Sequence, residues 1–442
     1  MLPLIGMQIA PLDPLCFDAA LLPQVVAPPY DVIGADLRRE LGERHAHNIV
    51  HLDLPEGTGD DRYAHAKELL QQWIAEGVLR RLGTPAFWRY AQTFDPPGGG
   101  QRCTRRGFFA LVRAVPFSDR VVLPHERTLS GPKLDRIKLS RATRATLSPQ
   151  FMLYSDPERA LDASLDAGDL FADFTTEDSI RHEISRITSP DAIARITQTL
   201  ASGKLLIADG HHRYETAVAL SGEIEAEARA QGLSGGVGEH LYTPALLANG
   251  DDPNLLVFPT HRLIHSLAAF DFDTLCRRAA ELFEVRRLEG SVAEWTRALA
   301  EAGDNALCAA AGDSRAVLLT PRKGANLDAH PVLRRRPKVV QRTAAALLHD
   351  GIIEHLLGVT PEAQAAKTNI RYLQDAQDGL SALTAGEAQL LCMMNATPVQ
   401  VIREVAEAGE VMPQKSTFFH PKVLTGLLIH TLDPTRSIAA GG

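Results

Sequence analysis

Along the chain, short apolar runs alternate with stretches in which apolar residues recur every three or four positions, the pattern of a mixed α/β protein. Leu205 to Ala208 has the length of a buried strand, Gly210 reads as a tight turn, and Tyr214 to Leu220 opens a helix. Earlier, Tyr63, Ala66, Leu69, Leu70, Trp73 and Ile74 keep helical spacing between Asp60 and Glu76, with Gly77 as the stop. Residues 85–94 and 107–117 read as two strands of a hairpin joined by the turn-rich DPPGGGQR segment. Ser189 and Pro190 form an N-cap and first helical residue for a helix that reaches Ser202 and stops at Gly203. A strand follows over Tyr242 to Leu247, and an apolar segment over Leu255 to Leu263. Beyond that the pattern changes. Ser291 to Glu294 matches a capping box, Ala306–Ala310 and Ala316–Leu319 are short apolar runs, and Thr397-Pro398 opens a helix ended by Gly409. A boundary near residue 265 divides a core over 1–264 from an additional C-terminal α/β unit over 265–442.

The strand, turn and helix around Asp209-Gly210-His211-His212-Arg213 carry the densest candidate chemistry. The first N–H groups of a helix have no intrahelical partner and stand at the positive end of its dipole, which makes an anion site. Gly210 permits close approach of an anion to the backbone, and His211, His212 and Arg213 add side-chain donors, so phosphate is the expected guest. Any one such residue is more often a capping or solvated side chain; four together on one strand end are harder to assign that way. Asp209 fits an N-cap or a turn, and it also fits a Mg2+ ligand beside a phosphate. No CxxC or HExxH spacing supports zinc.

Other clusters add to this picture. Pro28-Pro29 stiffens the loop that carries Tyr30 and Asp31, as a strand-entry turn or as a support for functional groups. His125-Glu126 precedes a cation-dense run, Lys133, Arg136, Lys138, Arg141 and Arg144, which reads as helical or irregular. A solvated basic face is the usual meaning of such a run, and a wall for a small polyanion is the functional one. Glu126 is the leading general-base candidate. Residues 231–238 are rich in glycine and read as a loop or lid, and only the tail from Ser437 reads as disordered. Near the end, Lys415, Ser416, Thr417 and Lys422 are good phosphate partners, although the glycines of a P-loop are missing.

Composition narrows the classes. The 442 residues, 45% hydrophobic, can bury sizeable cores. Forty-six Lys and Arg against 54 Asp and Glu give a net charge of -8 and a pI near 6.1, which argues against a general nucleic-acid binder. Five scattered cysteines point to neither a disulfide framework nor a metal cage and fit a reducing cytoplasm. Neither a transmembrane stretch nor a basic secretory n-region is present, so the expectation is a cytoplasmic protein without membrane partners.

The segments APPYDVI (27–33), HERTLSGPKLDRIKL (125–139), LSPQFMLYSD (147–156), LLIADGHHRYETA (205–217), FPTHRL (258–263) and MPQKSTFFHPK (412–422) span nearly the whole chain. Together they resemble family 1015 among the domains of unknown function, a bacterial and archaeal family. That resemblance implies a free-serine kinase activity, with inorganic pyrophosphate as phosphoryl donor in at least some members. The DGHHR turn also resembles the phosphate-binding turn of the ParB and sulfiredoxin superfamily, implying a ParB/sulfiredoxin-like phosphate-binding core; fold alone assigns no chemistry.

The reading reached from sequence is phosphoryl transfer from pyrophosphate or a nucleotide to the hydroxyl of free L-serine, chemistry that consists mainly of positioning and charge stabilisation. Gly210, His211, His212 and Arg213 would hold the donor, with Lys133, Arg136, Lys415, Ser416 and Thr417 as further phosphate partners. Asp209 would bind Mg2+ and Glu126 accept the serine proton, two roles that the carboxylates could exchange. Tyr30, Asp31 and His125 would line the substrate pocket. Two other classes stay open: a ParB-like nucleotide- or DNA-binding regulator, which needs a helix-turn-helix and a basic face that are not evident, and a non-catalytic sensor of phosphorylated metabolites.

Overall fold

A computed structural model describes residues 8–97, 99–126, 130–233, 238–313 and 315–438, with the backbone alone for 130–132. The expected lid over 231–238 and the expected disordered tail lie in part outside these residues. The chain forms two compact units: residues up to 123, 128–255 and 421–442 build the first, and residues 124–127 and 256–420 the second.

The first unit is built on a nine-stranded mixed sheet. Its order runs Val122–Leu123, Leu205–Asp209, Gln150–Tyr154, Tyr242–Asn249, Cys103–Arg113, Phe87–Phe94, Arg181–Ile187, Asp169–Thr175, with Ile9–Ala10 also paired to Cys103–Arg113. The expected hairpin is present, with Trp88 opposite Phe109 and Phe94 opposite Cys103. Strand alternation sorts the side chains. One face presents Phe87, Phe108, Ala110, Met152, Ile207 and Leu247 to a common core with Ile196 and Leu200 of the helix Pro190–Leu200 and Tyr214 of the helix His211–Ala230. The Ser189 side chain caps the first of these helices by accepting from Ala192 N. In the second helix, Tyr214, Ala217, Leu220, Ile224 and Ala228 form the buried stripe that fixes its rotation about its axis. The helix Ser130–Thr143 packs against both this helix and Asp61–Ala75.

The second unit has an antiparallel six-stranded sheet in the order Phe283–Leu288, Ala316–Pro321, Leu307–Ala311, Leu390–Met394, His261–Ile264, Ile370–Leu373. Trp295, Leu299, Cys308, Leu318, Leu391 and Met393 are central to its core. The capping box at Ser291 and Glu294 forms as its sequence pattern implies. Among the described residues no helix is long and apolar enough to cross a membrane.

The last segment of the first unit is held by a close backbone approach. Gly426 has φ +88°, and a Cβ there would lie 2.8 Å from Cβ of Ile49, itself fully buried. Gly426→Ala therefore combines a strained backbone with overpacking, and should lower unfolding free energy by about 1–3 kcal/mol in a urea titration. An unchanged midpoint would show that the segment can move away from Ile49.

Candidate functional site

Asp209 ends the strand Leu205–Asp209, and Gly210, at φ +95°, turns the chain directly into the helix His211–Ala230. The helix thus starts three residues before the expected Tyr214, so His211, His212 and Arg213 occupy its first turn. Arg213 is turned into the protein. Its side chain is 8% exposed, Nη1 donates to Ser148 Oγ at 2.7 Å and to the Pro149 carbonyl, and Nη2 lies 3.4 Å from Asp209 Oδ2. The Thr425 hydroxyl donates in turn to Ser148 Oγ. Lys422 Nζ reaches to 3.5 Å from the same Asp209 oxygen, while the Lys422 carbonyl accepts from Gln92 Nε2 at 3.0 Å. Gln92 Oε1 accepts from Arg105, whose guanidinium stacks 4.5 Å over the Phe151 ring. Burial pulls Arg105 down to about 10, with Tyr90 and Asp209 acting against that shift. Asp209 is therefore a partly exposed carboxylate in a cationic setting.

Beside this turn lies a small cavity of about 30 Å3, lined among others by Tyr30, Asp53, Arg136, Ser148, Arg213 and Thr216. Arg136 is buried and donates to Asp53 Oδ1 at 2.8 Å, to the Asp53 carbonyl at 3.0 Å and to Asp135 Oδ2. Its guanidinium carbon sits 4.3 Å from the centre of the Tyr30 ring. Burial pushes the Asp53 carboxyl up from its ordinary value, with Arg136 and Arg213 acting against that shift. Asp31, next to Tyr30 on the same 3-10 turn, is exposed.

The cation-dense run forms the helix Ser130–Thr143, and its charges are matched by carboxylates. Lys133 pairs with Glu215, Lys138 with Asp60, Arg141 with Glu223, and Arg144, just beyond the helix, with Glu227. Long-range pairing thus gives the basic face an interhelical role that sequence spacing did not reveal. Most of these pairs are solvent-exposed and contribute up to about 1 kcal/mol each.

In the second unit, the turn around Lys415 is held from both sides of its backbone. Glu126 Oε2 accepts from Lys415 N at 3.1 Å, and Oε1 accepts from Thr417 N at 3.0 Å and from its hydroxyl at 3.1 Å. The buried Arg262 guanidinium donates to the carbonyls of Gln414 and Lys415. His125 Nε2 lies 2.9 Å from Thr417 Oγ1, and the Ser416 hydroxyl donates to the Pro413 carbonyl. Lys415 is exposed and adopts φ +55°, a left-handed conformation uncommon outside glycine. Arg262 Nε in turn donates to Nε2 of His349, whose Nδ1 is 2.7 Å from Gln364 Oε1.

The predicted residues therefore fall into two sets. Tyr30, Arg136, Asp209, Gly210, His211, His212 and Arg213 belong to the first unit, with Lys133; His125, Glu126, Lys415, Ser416 and Thr417 belong to the second. Arg127 lies outside the described residues. Asp53, Ser148, Arg105 and Gln92 were missed. Ser148 lies in the quoted segment 147–156 without a role having been given to it, and Asp53 carried no signal. Among the described residues, no cluster of three or more His, Cys, Asp or Glu is placed to hold a metal. Asp209 does suit Mg2+, which binds through one or two carboxylates and takes its other ligands from water and substrate phosphates.

The chain belongs to the family described as protein of unknown function (DUF1015), which matches residues 9–343. Among solved structures it is similar to a conserved hypothetical protein from Pyrococcus furiosus, at 15% identity and a TM-score of 0.35, covering 71% of this chain and 93% of that one. It is also similar to a free serine kinase in complex with AMP, at 15% identity and a TM-score of 0.33, covering 68% and 84%. A third is SbnI with C-terminal truncation from Staphylococcus aureus, at 10% identity and a TM-score of 0.34, covering 73% and 87%. No curated protein matches the chain. Likenesses of this size carry no assignment of activity.

Two outcomes follow from the geometry. Removing the Arg213 guanidinium leaves the buried Pro149 carbonyl and Ser148 hydroxyl without their donor, so Arg213→Ala should lose about 1–3 kcal/mol of stability in a denaturant titration. A variant as stable as the parent would mean that these contacts do not form. In the second unit, burial pulls His349 down to about 3 and His261 to about 4. Unfolded histidine binds a proton near about 6.5, so the unfolded state takes up protons first as pH falls. Stability of that unit should be fully present above that value and decline from there towards pH 4. Melting temperatures at pH 7 and pH 5 check this, and equal values would contradict it.

Proposed function

We propose that this member of the DUF1015 family moves a phosphoryl group from pyrophosphate or a nucleotide to the hydroxyl of free L-serine, with the chemistry at the Asp209 turn. The observation that carries the proposal is one carboxylate, Asp209, at the start of a 20-residue helix beside Lys422, Arg213, His211 and His212. A helix N-terminus with cationic side chains suits the donor phosphates, and a carboxylate among them suits the acceptor hydroxyl. In the reaction the hydroxyl oxygen bonds to the terminal phosphorus, the bond from phosphorus to the bridging oxygen breaks, and Asp209 takes the hydroxyl proton. Lys422 is the cation of this set that would meet the donor phosphates, whereas Arg213, already bonded to Ser148 and Pro149, fixes the orientation of Asp209. Mg2+, when bound by Asp209 with the donor, would supply charge neutralisation on the phosphates.

Of the two carboxylates, Asp209 is preferred as the base because both oxygens of Glu126 are engaged by the turn at 415–417. Glu126 is assigned the holding of that turn, which presents Lys415. The sensor reading would need the same anion site without turnover.

Purified protein incubated with Mg2+, L-serine and, separately, pyrophosphate, ATP and ADP should form phosphoserine with at least one donor, read by mass spectrometry. Phosphate binding with no phosphoserine from any donor would leave the sensor as the better reading. Asp209→Asn should lower kcat about 10²-fold or more. Glu126→Gln replaces an acceptor oxygen by an amide donor facing backbone N–H groups, and should act chiefly by lowering the melting temperature. A Gln variant that melts like the parent yet does not turn over would make Glu126 the base.

A further inference from the structure

Lys422 reaches to 3.5 Å from Asp209 Oδ2 on a long flexible stem, so the place of its ammonium depends on how the backbone at 422 is held. The segment 421–442 is the part of the first unit that follows the second in sequence, and Lys422 stands near its start. A little further on, Thr425 N donates to the Ala27 carbonyl at 2.8 Å. At residue 422 itself the carbonyl accepts from Gln92 Nε2 at 3.0 Å.

Gln92 is fully buried on the strand Phe87–Phe94, opposite Arg105 on one flanking strand and His182 on the other. A glutamine amide has an accepting end and a donating end, and its neighbours decide which end points where. Arg105 can only donate. Its Nη2 is bonded to Gln92 Oε1, and its Nη1 has no hydrogen-bond partner among the described residues, so the amide oxygen is turned to the guanidinium. His182 makes no claim on the amide, because its ring nitrogens are engaged by the Tyr90 and Thr176 hydroxyls. The NH2 end is thereby aimed at the Lys422 carbonyl. Arg105 is itself held by stacking 4.5 Å over the ring of Phe151, a buried residue that pairs with Asp209 across the sheet. These contacts form a closed circuit on the candidate base: the sheet partner of Asp209 carries Arg105, Arg105 sets Gln92, Gln92 holds the backbone at 422, and the Lys422 ammonium returns to the carboxylate.

We propose that Gln92 is a positioning residue of the anion site, which through the Lys422 backbone sets the ammonium where the terminal phosphate of the donor is received. This rests on the phosphoryl-transfer reading and deepens it by naming what holds the cation. An ammonium carries three donors, so one can face Asp209 while another meets a phosphate oxygen. A displacement of about 1 Å at such a group can cost on the order of 10²-fold in rate, far more than its effect on packing suggests.

A double-mutant cycle separates this role from packing. Gln92→Met keeps the length of the side chain without its amide, and Lys422→Ala removes the ammonium but keeps the carbonyl that Gln92 holds. In calorimetric titrations with pyrophosphate and, separately, ADP, Gln92→Met should weaken binding about 10-fold in the parent and have no effect in the Lys422→Ala protein. Its cost in melting temperature should be the same in both. In turnover it should raise KM for the donor and leave KM for serine unchanged. If the Met variant does not fold, Gln92→Glu takes its place: a carboxylate keeps Arg105 paired but cannot donate to the Lys422 carbonyl, and the cycle subtracts the direct effect of its charge. An equal loss of affinity in both backgrounds, no loss in either, or a parent that binds neither anion would overturn the positioning role. Failure of the phosphoryl-transfer reading has a different signature: the binding cycle comes out as expected, and no phosphoserine forms from any donor.

Discussion

A guanidinium buried at the first turn of a helix has to be satisfied by its surroundings, and in this protein that requirement organises the candidate site. Arg213 ties three separate parts of the first unit: the helix that carries it, the Ser148-Pro149 segment that leads into a central strand, and Asp209 at the strand end before it. Gly210 makes this possible. With φ +95° it reverses the chain in one residue, and a Cβ there would meet the Arg213 guanidinium at 3.0 Å. The orientation of Asp209 is therefore set by contacts that exist before any ligand binds, which is the preorganisation that phosphoryl transfer relies on.

The second unit solves a similar problem by different means. A left-handed lysine costs conformational free energy, and the turn at Lys415 keeps that conformation because its amides and its carbonyls are both held. Glu126 supplies acceptors for the N–H groups and Arg262 supplies donors for the carbonyls. Arg262 is fully buried and in turn needs a neutral His349 to accept from its Nε, so the neutral state of that histidine belongs to the same arrangement. A single charged partner on one side would have left half of the turn's polar groups unmet.

What could be read from sequence was local. The strand, turn and helix from Leu205 to Thr216, the Ser189 cap and the Ser291 capping box depend on neighbours a few residues apart, and each forms as its pattern implies. The pairings that decide the site are not local. Asp53 and Arg136 are 83 positions apart, and Arg213 reaches Ser148 across 65. His51-Leu52-Asp53-Leu54 carries no motif, so nothing marked Asp53 before the fold placed it against a guanidinium. The basic run from Lys133 to Arg144 misleads for the same reason: the acidic partners of Lys133, Lys138, Arg141 and Arg144 come from other parts of the chain.

Burial of Asp53 sets how its charge is met. In a low-dielectric setting an unmet carboxylate oxygen is expensive, and a donor that reaches it gains correspondingly more than it would at the surface. A structural ion pair alone would be served by an aspartate with both oxygens engaged, as Asp350 is by Arg336 in the second unit, where Nε and Nη2 each meet one oxygen. Asp53 instead offers Arg136 one side-chain oxygen and its own backbone carbonyl, and its second oxygen has no hydrogen-bond partner among the described residues. The bidentate geometry available elsewhere in the same chain is not used here.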